Sequence, residues 1–218
     1  MTQVQDATRS TRRQRRGKVR AVLAGCAALG VGAAVTLAAW TDTEWVFGGG
    51  QGDGDTVGTS TFNVQQNVFD GVGFTDRSAT PGGQLRFAPG ATSITPGDVI
   101  TAPMQLQTEA GSDAGTVTLE PAALNGSDQA LFDAVTYAAY TGLTAAECSA
   151  ADLAGGTALV PDNSGLATGS ADDAIALDAD QGNVVDVCFV ITLPDDAPNT
   201  LQGLTIAPAW EFSAESVE

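Results

Sequence analysis

The sequence predicts an all-β fold: one antiparallel β-sandwich with a long irregular insertion, preceded by an N-terminal signal helix. Three observations predict it. Short apolar runs with a period of two recur along the chain, separated by Gly, Pro, Asp and Asn. Only one stretch carries a fair helix-start signal. Seven of the nine basic residues lie in the first twenty positions, directly before the uncharged run Ala21 to Trp40.

That N-terminal layout defines the first element, residues 1–38, as a signal peptide. A positive n-region, an apolar h-region and a small-residue cleavage site mark a secretory signal. The h-region is Ala21 to Ala39, and the cut falls between Ala38 and Ala39, with Thr36 and Ala38 at −3 and −1. About twenty apolar residues also suffice to span a bilayer, so retention as an anchor is the alternative fate. Cys26 in Leu23-Ala24-Gly25-Cys26 is not read as a lipoprotein cysteine, because the apolar run continues well past it. Arg12-Arg13 and Arg15-Arg16 are not followed by the apolar residues that a twin-arginine signal places there.

Residues 39–58 form a flexible segment by composition, ending in Gly48-Gly49-Gly50-Gln51-Gly52-Asp53-Gly54-Asp55. Trp40, Trp45 and Phe47 stand in its first part with nothing local to bury them. The sandwich is expected over 59–218. Thr61 to Val68 and Gln84 to Ala88 are short strand candidates. Val99 to Thr108 places Ile100, Ala102, Met104 and Leu106 on one face, and Pro103 argues for an edge or a bulge. Gly115 to Glu120 adds Val117 and Leu119. Ser127 or Asp128 caps a short helix through Asp133. Val135 to Tyr140 reads as strand. Ala145 to Asp180, rich in Ala, Gly, Ser and Asp, reads as the long irregular insertion, with a helical turn over Ala145 to Leu153. Val184 to Leu193 puts Val185, Val187, Phe189, Ile191 and Leu193 on one face and Cys188 on the other. Leu204 to Phe212 alternates in the same way, with Trp210 on its apolar, core-facing side.

After the cut, 25 carboxylates face two arginines, Arg77 and Arg86, for a net charge of −23. Such a charge keeps an exported protein soluble and repels nucleic acid and anionic lipid. Contact with membrane is expected only through the signal segment. Cys148 and Cys188 are the two cysteines left, and in an oxidising exterior an isolated pair forms one disulfide. With Cys188 on the outer face, the bridge pins the Cys148 loop over the outside of a sheet.

The composition excludes much chemistry. Without histidine there is no Ser-His-Asp triad, no Cys-His pair and no His-ligated zinc. The mature part has no lysine, hence no Schiff base. Carboxylate chemistry and oxygen-ligated metals remain. So many carboxylates supply pairs by chance, and glycoside cleavage needs a defined separation that spacing along the chain does not give. Asp178, Asp180, Gly182 and Asn183 fall short of the helix–loop–helix calcium pattern, and Asp53-Gly54-Asp55 is shorter still. Both fit turn chemistry better, although calcium on a surface cluster stays open. No catalytic residue, metal site or cofactor is assigned.

Thr36-Leu37-Ala38-Ala39-Trp40-Thr41-Asp42 resembles the signal region of proteins cut by the SipW-type signal peptidase, the family of the biofilm fibre protein TasA and of camelysin. Ile94-Thr95-Pro96-Gly97-Asp98-Val99 is similar to the turn before a family strand. Glu109 to Val117 resembles the family's following hairpin, with Ala110-Gly111-Ser112 in place of Asn-Gly-Ser. Gln202-Gly203 to Ala214 is similar to its C-terminal strand. The resemblance implies a jelly-roll-like sandwich, processing by a signal peptidase, and residence in the wall or matrix. The disulfide pair and the lack of lysine in the mature part depart from the typical fibre former. Metalloprotease activity, described for camelysin-like members, does not carry over, because no ligand set is present.

The expected function is therefore non-enzymatic: an exported surface or matrix structural protein. Its assembly into a homo-oligomer or fibre would use Trp40, Trp45 and Phe47, with residues 39–47 added as a strand to a neighbour's sheet. The alternative is a surface module that binds calcium or glycan. A third class is a carboxylate enzyme, which would need two carboxylates in one cleft over an aromatic floor.

Overall fold

The computed structural model describes residues 59–217 except 81, 89 and 152. The signal segment, its cleavage position at Ala38 and Ala39, and Trp40, Trp45 and Phe47 lie outside the described residues. Eight strands form two antiparallel sheets. They are β1 (Val64–Asn67), β2 (Val99–Thr108), β3 (Gly115–Leu119), β4 (Thr136–Thr141), β5 (Thr157–Gly165), β6 (Ile175–Leu177), β7 (Val185–Thr192) and β8 (Phe212–Ser216). One helix, α1 (Gln129–Ala134), leads into β4. The wide sheet has the order β1-β2-β7-β4-β5 and the narrow sheet β6-β3-β8. The chain crosses between sheets from β2 to β3 to β4, and again from β5 through β6 and β7 to β8. That is the cross-sandwich connectivity of a jelly-roll-like fold.

Side-chain alternation decides which faces meet. Ala102, Met104 and Leu106 of β2 and Val187, Phe189 and Ile191 of β7 point inward from the wide sheet. Val117 and Leu119 of β3 and Ile175 and Leu177 of β6 point inward from the narrow one, and all join a single core. Each such side chain stabilises the fold by about 1.5–3 kcal/mol through burial. Gly115 on β3 is where Phe62, ahead of β1, packs closely on the narrow sheet. A Cβ there would lie 2.4 Å from Phe62 Cζ and 2.5 Å from the Glu215 carbonyl oxygen, so no side chain fits.

Pro103 lies in an interior strand, against the expectation of an edge, yet for a related reason. The Thr101 carbonyl accepts the Ala88 N–H from the β1 side of β2. Pro103, two residues on, turns its nitrogen to that same side. There β1 has already ended, at the pair Asn67 and Gln105. The missing N–H therefore leaves no ladder bond unmade.

The expected irregular insertion between Ala145 and Asp180 supplies two strands instead. β5 pairs with β4 as one edge of the wide sheet, and β6 pairs with β3. Gln84 to Ala88 forms no strand. The stretch around Cys148 makes one hydrogen-bonded turn, Cys148 N–H to the Thr144 carbonyl at 2.9 Å, and no helix.

Two further expectations move. Leu204 to Phe212 keeps its alternating burial but is not a strand; the strand begins at Phe212. The partner strand β3 ends at Leu119, just before Pro121, and beyond it the two stretches meet through Glu120 N–H to the Glu211 carbonyl at 2.9 Å and the isolated bridge Ala123–Ala209. Residues 205–207 are held by side chains. Thr205 N–H donates to the Asp128 carboxylate at 2.7 Å, Ala207 N–H to Ser127 Oγ at 2.8 Å, and Asn125 Nδ2 to the Ala207 carbonyl at 2.9 Å. Asp128 is thus the residue before the helix, as expected, but makes no side-chain cap. Glu109 to Asp113 is not a hairpin within one sheet. It carries the chain from β2 in the wide sheet to β3 in the narrow one.

Thr95-Pro96-Gly97-Asp98 is a tight turn whose residue types follow from its geometry. Asp98 N–H donates to the Thr95 carbonyl at 2.9 Å, and Gly97 has φ +89°, as the third position of a type II turn requires. Asp98 Oδ2 accepts from Thr95 N–H at 2.6 Å and Thr95 Oγ1 at 2.9 Å. Those bonds hold its carboxyl below the usual range.

Candidate functional site

The described sandwich presents edges, faces and a cleft. The edges differ sharply. β1 is closed on its outer side by the arm that returns after it, through Gln66 N–H to the Thr75 carbonyl and Thr75 N–H to the Gln66 carbonyl, both 3.1 Å. β5 is broken by two register shifts against β4 and contains Pro161 and Asn163, the latter with φ +61°. Bulges and proline are what keep an edge from pairing. β6 has only three residues. β8 is different. It holds regular register with β3 from Phe212 to Ser216, and among the described residues no strand pairs with its other side. Phe212 and Ala214 face the core while Ser213 and Glu215 are exposed. This five-residue run is the one regular, open edge the described residues present to an incoming strand.

The outer face of the wide sheet is clasped by the disulfide. Cys148 and Cys188 are bonded, with Cα atoms 5.4 Å apart. Ala138, Tyr140, Leu143 and Val190 pack around the bridge as a small second cluster, separate from the sandwich core. Thr101 Oγ1 donates to the Cys148 carbonyl at 3.1 Å and ties the loop to β2. The bridge thus lies outside a sheet, as the alternation around Cys188 implies. Toward the β1 side the same face is polar. Gln105 Nε2 donates to Asp186 at 2.9 Å, and Asn67 Nδ2 donates to Gln105 at 3.0 Å.

Tyr140 also marks this face. Its hydroxyl donates to the Asp162 carboxylate, a contact that spacing along the chain gave no means of finding. Burial first, and Asp162 second, push the phenol up to about 12. Tyr137, one turn of alternation away, points into the main core and donates to the Thr168 carbonyl. Trp210 rests between Tyr137 and Phe189, with ring centroids at 5.6 and 4.8 Å. Tyr137 and Trp210 therefore pack together in the main core while Tyr140 lies on the outer face of the wide sheet, and the three do not share one exposed surface.

The Asp178–Asn183 segment is a braced turn. Asp180 Oδ1 accepts Gly111 N–H at 2.8 Å, and Asn183 Oδ1 accepts Asp178 N–H at 2.8 Å. The Asp178 carbonyl accepts Thr108 Oγ1 at 2.7 Å. These oxygens tie the turn to the β2–β3 connection. Among the described residues, no group of three or more His, Cys, Asp or Glu stands together as a metal site. A cleft of about 360 Å³ opens at the other end of the sandwich, lined by Gly97, Thr136, Asn163, Thr192, Pro194, Asp195 and Asp196. It brings two carboxylates together, but they are sequence neighbours and no aromatic residue lines the floor.

No known protein family matches this chain, and no characterised protein matches it either. Among the described residues no helix is long and apolar enough to cross a membrane.

Proposed function

We propose that this chain is an exported structural protein of the cell surface or extracellular matrix, of the kind processed by the SipW-type signal peptidase, and that it assembles by strand addition. In this reading the donor is the segment 39–47, with Trp40, Trp45 and Phe47 as its anchors, and the acceptor is the outer side of β8. The observation that carries the reading is the open, regular edge of β8 at the end of the narrow sheet. An added strand gains main-chain hydrogen bonds along such an edge, and alternate side chains choose the partner. Export is supported by the basic cluster and apolar run at the N-terminus. The Cys148–Cys188 bridge is in keeping with an oxidising exterior.

Deleting residues 39–47 tests the proposal. Fibres or oligomers of the chain purified from culture medium are expected to disappear under the microscope. Unchanged assemblies in the deletion variant would overturn strand addition by this segment.

A further inference from the structure

Asn125 alone among the asparagines of this chain is followed by glycine. Asn63, Asn67 and Asn183 precede valine, Asn163 precedes serine and Asn199 precedes threonine. The pair Asn125-Gly126 fills the two central positions of a tight turn, closed by Ser127 N–H to the Leu124 carbonyl at 2.7 Å. Both residues have positive φ, +43° and +78°, as a type I′ turn requires. Both are exposed, and a Cβ at Gly126 would meet nothing within 4 Å. The Gly126 N–H makes no hydrogen bond among the described residues. An unengaged, sterically open amide nitrogen therefore stands next to a side-chain carboxamide.

That carboxamide holds part of the fold. Asn125 Nδ2 donates to the Ala207 carbonyl at 2.9 Å. Beside it, Ala207 N–H donates to Ser127 Oγ at 2.8 Å, and Thr205 N–H to Asp128 Oδ2 at 2.7 Å. Residues 125–128 thus latch the stretch 204–210, which belongs to no strand and leads directly toward β8. Leu204 and Ile206 of that stretch are half-buried against the core, so the latch also keeps two apolar side chains seated.

We propose that Asn125 is a self-modification site, at which deamidation undoes this latch. The Gly126 amide nitrogen, on losing its proton, attacks Asn125 Cγ. The new C–N bond closes a five-membered succinimide, while Nδ2 takes up a proton and leaves as ammonia. Water then opens either carbonyl of the ring, which leaves aspartate or isoaspartate at position 125. Water is the only co-reactant. Glycine suits the step because it has no side chain to obstruct ring closure. In either product the Nδ2 donor is gone. Aspartate turns a carboxylate oxygen toward the Ala207 carbonyl, and two acceptors repel. Isoaspartate lengthens the main chain by one carbon and so changes the spacing on which the Leu124–Ser127 turn depends. Residues 204–210 are loosened as the protein ages, while the sandwich core stays in place. The site stands whether or not the chain assembles, since neither turn nor latch involves a second copy.

The test ages the purified protein in mildly alkaline buffer and follows position 125 by peptide mass spectrometry, with an isoaspartate-specific methyltransferase assay beside it. Conversion is expected at Asn125, with both products present, and not at the other asparagines. Hydrogen exchange on the aged protein is expected to speed about tenfold at Thr205 and Ala207, with Val117 and Phe189 unchanged. Asn125→Asp, one of the two products made directly, is expected to show the same exchange without ageing. The urea-unfolded chain, expected to convert, shows that the conditions permit the reaction. An Asn125 that stays intact in the folded protein beside it would overturn the site, because the turn would then protect the amide. Conversion that leaves exchange at Thr205 and Ala207 unchanged would overturn the latch.

Discussion

Both tyrosines of the chain lie on β4, one on each face, and each phenol is held by a different acceptor. Burial raises the pKa of Tyr137, and burial together with Asp162 raises that of Tyr140 to about 12. A group whose pKa is raised by folding contributes stability that is intact below its unfolded value and lost as pH climbs through its folded value. The window therefore opens at pH 10 and closes near pH 12 for Tyr140. At pH 10 Tyr140 is expected to be almost wholly protonated in the folded protein and Tyr137 less than half ionised, and unfolding at that pH is expected to raise the tyrosinate absorbance. Half-ionised tyrosine in the folded state at pH 10 would contradict the packing described for both rings. Alternation along Val135 to Tyr140 made the two-sided placement of these residues legible in the sequence. Asp162 was not legible, because it reaches Tyr140 from a strand whose existence the composition concealed.

At the scale of elements, the strands with large, regular inward residues are the ones the sequence reveals. β2 runs over Val99–Thr108 and β7 over Val185–Thr192, with the expected inward faces. β5 and β6 are hidden because Ala, Gly, Ser and Asp dilute their alternation. Val160 is the one fully buried side chain of β5, and β6 has only Ile175 and Leu177. The C-terminal strand is displaced because alternation reports burial, whereas a strand also needs a partner, and β3 ends before Leu204 to Trp210 can use one. The disulfide acts at this scale as well. It closes a loop of about 40 residues and roofs the cluster of Ala138, Tyr140, Leu143 and Val190. In the chain-entropy view, replacing both cysteines with alanine costs roughly 4 kcal/mol. Denaturant unfolding is expected to show that loss as a lowered midpoint, and a midpoint unchanged from the disulfide form would contradict it.

The whole molecule carries its charge almost without internal compensation. From residue 39 onward the net charge is −23, and the described residues contain one ion pair, Arg77 with Asp70. Repulsion among carboxylates then opposes folding and association alike. Raising ionic strength to about 0.1 M brings the screening length to about 10 Å and weakens that repulsion. The melting temperature is expected to rise with salt, by several degrees for a domain of this size. A fall with added salt would mean that attractive pairs outweigh repulsion, against the charge distribution.

Some properties were determined by the residues alone. The absence of histidine from the chain and of lysine from residues 39–218 removes whole chemistries there, whatever the shape. The period-two runs set an all-β class, because only a strand turns successive side chains to opposite faces. The isolated cysteine pair points to one bridge, and its place outside a sheet follows from the parity of Cys188. Tertiary structure decided what depends on which strands become neighbours. It paired β7 with both β2 and β4, closed the edge of β1 with the chain returning at Thr75, and left β8 without a second partner strand among the described residues. Those outcomes rest on contacts between residues far apart along the chain, and a local pattern of apolar and polar residues carries no record of its partner.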